Sequence, residues 1–174
     1  MQKRKGETVL YNLIFPVFLM VWIPSFLWIL LIPANYLWDR FIFTFAMKRE
    51  NVYGYQTKAR DYTGWLCLAG FAADFLCSAM LLGLCLFVSS QPYDSWVFRH
   101  LNVSLGWNPP ADMWGFAIML VIVWISGCFV ALFDKWILRK TGDFSEEECT
   151  KIALTMGILT APYLMLLPVP SIFM

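Results

Sequence analysis

Long apolar runs recur along the chain, and they constrain its fold more than any other feature of the sequence. Four such segments lie at about 9–37, 63–89, 111–134 and 152–173. A helix of about 20 apolar residues is long enough to cross the ~30 Å hydrocarbon core of a bilayer. In lipid the backbone polar groups must be paired internally, and these runs are longer than barrel strands, so they should be helices. The sequence predicts an all-α integral membrane protein, a small helical bundle.

The composition agrees with a single membrane domain over residues 1–174. Apolar residues make up 60% of the chain and charged residues 14%, against ~45–50% and ~25% in soluble domains. The net charge of +1 gives no sign of a nucleic-acid partner. The five cysteines form no C-x-x-C pair and there is one histidine, so we expect no metal site, no cofactor and no redox motif.

Two of the helices have recognisable starts. Asn108, followed by two prolines, predicts the start of the third apolar helix. Ser145 and Glu148 have the spacing of a capping box, and three consecutive glutamates lie at the positive end of the helix dipole. The last helix is therefore predicted to begin in water and to cover 146–173.

The stretch that follows the first apolar segment predicts an amphipathic helix at 35–49. Its apolar residues recur at helical spacing: Leu37, Trp38, Phe41, Ile42 and Phe45. Its polar residues are Asp39, Arg40, Lys48 and Arg49. This pattern is typical of a helix that lies in the membrane interface.

The positions of lysine and arginine bear on the path of the first segment. Four spans with an inside N-terminus would put nine of these residues outside, against the positive-inside rule. A re-entrant hairpin at 9–37, broken at Pro24, puts twelve of the thirteen inside. A proline-kinked span with an outside N-terminus is the alternative. In both arrangements three further helices cross the membrane, residues 37–62 and 135–151 face the cytoplasm, and the C-terminus lies outside, as we expect in a bacterial cytoplasmic membrane.

Asp74 is the most informative single residue, because it lies near the middle of an apolar segment. A carboxylate at that depth costs at least ~2.5–3.5 kcal/mol and marks a candidate functional site. No lysine, arginine or histidine lies at the same depth, so the carboxyl should be protonated and hydrogen-bonded to Ser126, Thr155 or Thr160. The candidate intramembrane polar site consists of Asp74, Ser78, Ser126 and Thr160. It either holds helices together or binds a proton or cation.

A second candidate region is the cytoplasmic interface. Residues 37–42 (LWDRFI) and 132–137 (LFDKWI) share the order Leu, aromatic, Asp, basic, aromatic, Ile, which suggests matching interfacial anchors. The candidate residues here are Asp39, Arg40, Lys48, Arg49, Asp134 and Lys135. The basic stretch 48–60 would contact anionic head groups of the bilayer or a cytosolic partner.

Three functions are compatible with these features. The first is a non-enzymatic subunit that associates with itself or with other membrane proteins, through the small residues beside Asp74. The second is a small proton or cation transporter, or a channel, that uses Asp74. The third is an enzyme that acts on a lipid-borne substrate at the interface near Asp39 and Asp134. The sequence contains no nucleotide-binding loop, nucleophile elbow or zinc-protease motif.

Overall fold

The chain folds into helices throughout the part described by the computed structural model, residues 27–106 and 108–167. The elements in order are α1 (Leu27–Arg49), α2 (Tyr55–Ser89), α3 (Trp96–Gly106), a 3₁₀ turn (Pro109–Ala111), α4 (Met113–Thr141), α5 (Glu146–Leu159) and a second 3₁₀ turn (Tyr163–Leu166). No strand occurs in these residues. The predicted all-α fold class is confirmed.

Two helices, α2 and α4, are long and apolar enough to cross a membrane. They have 35 and 29 residues, or about 52 and 44 Å at ~1.5 Å per residue. The predicted span 63–89 lies within α2, and the predicted span 111–134 starts two residues before α4. Both helices extend beyond the predicted spans at the same end of the bundle. By length and composition they support membrane association.

The last helix is shorter than the predicted 146–173. Helix α5 ends at Leu159 after 14 residues, about 21 Å, which is less than the ~30 Å hydrocarbon core. Pro162 lacks a backbone N–H and disfavours a helical conformation at the residue before it. The start agrees with the sequence: Glu148 N–H donates to Ser145 Oγ at 3.2 Å, and Ser145 N–H donates to Glu148 Oε2 at 2.7 Å. The capping box is confirmed, whereas a third span remains a prediction.

The predicted interfacial helix at 35–49 is the second half of the longer helix α1, which also contains Pro33. Phe43 and Met47 are fully buried, so this half packs into the bundle through a face that the interfacial pattern did not identify. The predicted hairpin or kink at Pro24 lies outside the described residues.

The start of α4 differs from the prediction. Asp112 is the capping residue, and its Oδ1 accepts a hydrogen bond from Trp114 N–H at 2.8 Å. Asn108 instead precedes the short 3₁₀ turn and makes no side-chain capping bond. The predicted cap at Asn108 is therefore wrong, because the two prolines form a separate turn before the helix.

Four helices surround the interior of the bundle. Helix α1 packs on α2 and α5, and α4 packs on the same two helices, so α1 and α4 face each other diagonally. Helix α3 packs on α2 and α4. We call the end with the α1–α2 and α4–α5 connections the basic end, and the opposite end the α3 end.

Helices α4 and α5 approach closely where two glycines meet. A Cβ placed on Gly127 would lie 2.7 Å from the carbonyl oxygen of Gly157. A Cβ placed on Gly157 would collide with the carbonyl oxygen of Gly127 and lie 2.9 Å from Ala131 Cβ. Only residues without a side chain permit this backbone contact.

The apolar core is divided into two clusters. The cluster at the basic end includes Ile42, Phe43, Met47, Leu66, Leu138, Ile152 and Met156. The cluster at the α3 end includes Cys77, Leu81, Val88, Leu101, Met119 and Ile122. Polar side chains lie along the helices between them, and we call this set the polar layer: Asn35, Asp39, Cys67, Asp74, Ser78, Ser126 and Asp134.

Candidate functional site

The two matching motifs place an aspartate inside the bundle. Asp39 is 3% exposed and Asp134 is 0% exposed. Leu37 and Trp38 of the first motif, and Leu132 and Trp136 of the second, are exposed instead. Helical geometry turns each aspartate into the bundle when its apolar neighbours face outward, so both carboxyls are buried by packing, and their position at the cytoplasmic interface stays a prediction.

Asp39 is supported by a residue one turn earlier on α1 and by helix α2. Asn35 Nδ2 lies 3.4 Å from Asp39 Oδ2 and 3.9 Å from Cys67 Sγ, and it donates to both. A Cβ placed on Gly70 would lie 3.9 Å from Asp39 Oδ2. Neither Asn35 nor Cys67 is among the site residues predicted from the sequence, although Asn35 and Asp39 have the i, i+4 spacing at which side chains on one helix meet.

Asp134 has no such support. Neither of its carboxyl oxygens has a hydrogen-bond partner in the described part of the chain, and both are fully buried. The charged group that acts on it there is another carboxyl, that of Asp39. Most buried polar side chains are hydrogen-bonded, and an unsatisfied one costs ~1–3 kcal/mol. The buried Asp134 carboxyl therefore lowers the stability of the fold.

Asp74 is joined to helix α4 by one of the hydroxyls that the sequence suggested. Ser126 Oγ donates to Asp74 Oδ1 at 3.1 Å, and Asp74 itself is half-buried. Thr155 and Thr160 bond carbonyl oxygens of their own helix at 2.8 and 2.9 Å, so the structure does not bring them to Asp74. Ser78, one turn beyond Asp74, is buried and its Oγ has no partner among the described residues.

The polar groups follow one another along the bundle. Asp134 lies eight residues from Ser126 on α4, about 12 Å at ~1.5 Å per residue. On α2, Cys67 and Gly70 near Asp39 precede Asp74 by one to two turns. The layer thus begins with Asp39 and Asp134 towards the basic end and continues towards the α3 end through Asp74, Ser126 and Ser78.

The basic end carries the remaining interface candidates. Arg40, Lys48 and Arg49 are exposed and Lys135 is half-buried. Elsewhere at this end Lys151 pairs with Glu50 at 3.1 Å and Glu147 at 2.8 Å. In the predicted partner-binding stretch 48–60, Lys58 Nζ donates to the Asp143 carbonyl oxygen at 2.6 Å. These contacts tie the two connections at this end together.

A separate polar pair lies at the α3 end. His100 Nδ1 is 2.6 Å from Asp112 Oδ2, and the rings of Trp96 and His100 are 4.8 Å apart. The hydrogen bond with His100 lowers the pKa of Asp112, and bonds from backbone N–H groups lower it further. The sequence suggested no role for His100; here it holds the residue that caps α4.

Comparison with known proteins finds no matching family model, and no curated protein or solved structure matches the chain. The functional argument therefore depends on the polar layer itself.

Proposed function

We propose that this chain is a small multi-pass membrane protein that binds a small cation, a proton or a metal ion, in its polar layer and carries it across the membrane. The observation that supports this most is the Asp134 carboxyl, which is fully buried and whose two oxygens have no hydrogen-bond partner in the part of the chain that the structure describes. Ionisable residues inside membrane bundles are costly, and they mark ion pathways and proton relays. A carboxyl with a purely structural role would be expected to have hydrogen-bond partners.

Association with other membrane subunits was the first expectation from the sequence, and it rested on the small residues beside Asp74. Three of them, Ala69, Ala73 and Cys77, are buried by packing within this one chain. That face is used for the fold of the single chain, so it gives less support for association than for transport.

An enzyme acting on a lipid-borne substrate is also less well supported. Asp39 and Asp134 lie on diagonal helices of the bundle, but only 3% and 0% of their surface is exposed. A lipid-sized substrate needs an open cleft to reach a catalytic carboxyl, whereas a proton or a dehydrated ion does not.

For the orientation we propose that the basic end faces the cytoplasm of a bacterial cell and the C-terminus lies outside. Nine lysines and arginines belong to the basic half of the bundle: Arg40, Lys48, Arg49, Lys58, Arg60, Lys135, Arg139, Lys140 and Lys151. The sequence between α2 and α4 contributes only Arg99. Positive charge accumulates on the cytoplasmic side of membrane proteins. Three spans, as predicted from the sequence, are part of this proposal.

The proposal is tested by ion flux in liposomes that contain the purified protein. Proton flux is followed with an internal pH dye and metal-ion flux with radioactive sodium and calcium. We expect flux in the wild type and a loss of at least tenfold in Asp134→Asn and Asp39→Asn. The matched control is Asp61→Asn, which removes an exposed carboxylate from α2 and should leave flux unchanged.

Two results would overturn transport through the polar layer. One is the absence of flux for all three ions in wild-type vesicles of verified orientation. The other is flux that is the same in Asp134→Asn and in the Asp61→Asn control.

A further inference from the structure

Asp39 and Asp134 are both buried in the bundle, on the two helices that lie diagonally in it. Helices α1 and α4 both pack on α2 and α5, and the two carboxyl groups are near enough for the charge of one to act on the other. No hydrogen bond joins them, since the oxygens of Asp134 have no partner in the described residues. Two negative charges in this position would repel each other in a medium of low dielectric constant.

Within residues 27–106 and 108–167, the surroundings of the pair supply no compensating positive charge. Helix α2 contributes the Cys67 thiol and the Asp74 carboxyl. Helix α5 contributes buried apolar residues, Ile152, Ala153 and Met156. Asp39 receives a long hydrogen bond from Asn35, at 3.4 Å, and one from the Cys67 thiol. These two neutral donors compensate a fully ionised pair only weakly in this part of the bundle.

The donor atoms are also a poor set for a metal ion. Calcium takes six to eight oxygen ligands and magnesium six. Transporter ion sites usually complete such a shell with backbone carbonyls of interrupted helices. Helices α1, α2 and α4 are continuous past Asp39, Asp74 and Asp134, so their carbonyls are used within the helices. Across 27–106 and 108–167, no three His, Cys, Asp or Glu side chains are grouped so that they could hold a metal ion.

We propose, on the basis of the transport function above, that the occupant of the site is a proton and that the Asp39–Asp134 pair retains it at neutral pH. A proton needs no coordination shell, and one proton removes one of the two charges of the pair. Asp74 with Ser126 continues the polar path towards the α3 end, followed by Ser78, whose hydroxyl has no partner among the described residues. The transported species is accordingly H⁺ rather than Na⁺, Ca²⁺ or Mg²⁺.

Infrared spectroscopy of the reconstituted protein tests the bound proton without any flux. A protonated carboxyl has a carbonyl stretching band separate from that of the carboxylate, and the band shifts when D₂O replaces water. We expect this band in the wild type at neutral pH. The double variant Asp39→Asn/Asp134→Asn should lose the part of the band that belongs to the pair, so that only a protonated Asp74 could still contribute. The Asp61→Asn control should keep the full band, with helical content checked by circular dichroism.

Adding salts of metal ions to the wild-type protein gives a second test, which does not depend on how the variants fold. We expect the band to persist at pH 7 in high sodium, calcium or magnesium, since a metal does not displace the proton. The inference is overturned if the band is absent at pH 7, if any of these ions abolishes it, or if the folded double variant retains it unchanged.

The infrared and flux experiments fail in different ways. Flux of sodium or calcium that depends on Asp134, without a protonated carboxyl, would refute the proton as occupant and leave transport standing. A protonated pair without flux of any ion would refute the transport function and leave the proton site standing.

Discussion

The contact between Gly127 and Gly157 predicts a large difference between two glycine substitutions of the same kind. In Gly157→Ala the new methyl group meets the backbone carbonyl of Gly127 and the Cβ of Ala131. In Gly83→Ala, also within a helix, the new methyl group has no atom within 4 Å. Both changes improve helix propensity by the same amount, so the comparison isolates the packing of α4 on α5.

The expected free energies follow from these distances. Alanine in place of glycine in a helix gains about 1 kcal/mol from helix propensity. Overpacking typically costs ~1–3 kcal/mol, and the upper part of this range applies because the atoms that are struck belong to a backbone and cannot rotate away. We expect Gly83→Ala to be neutral or stabilising by up to about 1 kcal/mol, and Gly157→Ala to destabilise by about 2 kcal/mol net.

Unfolding in mixed micelles, with increasing denaturing detergent and circular dichroism as the signal, measures the difference. Gly127→Ala should behave like Gly157→Ala, since its Cβ would lie 2.7 Å from the Gly157 carbonyl oxygen. Equal stability of Gly157→Ala and Gly83→Ala would show that α4 and α5 do not meet at these glycines. It would also show that α5 does not pack beside the polar layer at this position.

Three further predictions follow from individual hydrogen bonds. Ser145→Ala should destabilise by ~1 kcal/mol through loss of the α5 cap, measured as a lower thermal midpoint; no change would contradict the capping box. Ser126→Ala should lower the free energy of unfolding by ~1 kcal/mol, because it removes the hydrogen-bond partner of Asp74. Thr160→Ala, which loses only a bond within its own helix, should lower it less when both are unfolded with denaturing detergent. Because the pKa of Asp112 is lowered in the folded chain, its carboxylate stabilises the fold fully at pH values above the ordinary pKa range of a carboxyl. This stabilisation is lost as the pH falls through the lowered pKa of the folded state. His100→Ala should raise that pKa, as followed by NMR of the labelled carboxyl carbon, and an unchanged titration would show that the pair does not form.

The long helices could be predicted from the sequence because hydropathy and length alone determine them. The spans 63–89 and 111–134 depend on continuous apolar runs, and no tertiary contact is needed to recognise them. The bounds of α5 were less accessible. The apolar run continues past Leu159, so hydropathy extends the helix, whereas Pro162 favours a break that a composition-based prediction gives too little weight.

The polar layer could be predicted from the sequence only in part. Asp74 stands out because it interrupts an apolar run, and a bond to Ser126 could be proposed from depth alone. Asp39 and Asp134 were assigned to the interface because they lie at the ends of apolar runs next to basic residues. Their burial depends on the direction of each side chain around its helix and on packing against α2 and α5. The position of a residue along an apolar run gives neither of these.

The repeated motif accounts for both the surface and the interior of the bundle. In each copy of the motif the leucine and a tryptophan face outward. These are Leu37 and Trp38 in α1, and Leu132 and Trp136 in α4. The same rotation turns the aspartate inward. Exposed tryptophans anchor helices at the membrane interface, and they would therefore fix the depth and rotation of α1 and α4 at once. Two motifs of this kind on diagonal helices bring two carboxyls into the interior, where neither has a cationic partner among residues 27–106 and 108–167. The residues that were expected to hold the protein at the membrane surface thus also determine where its buried charge lies.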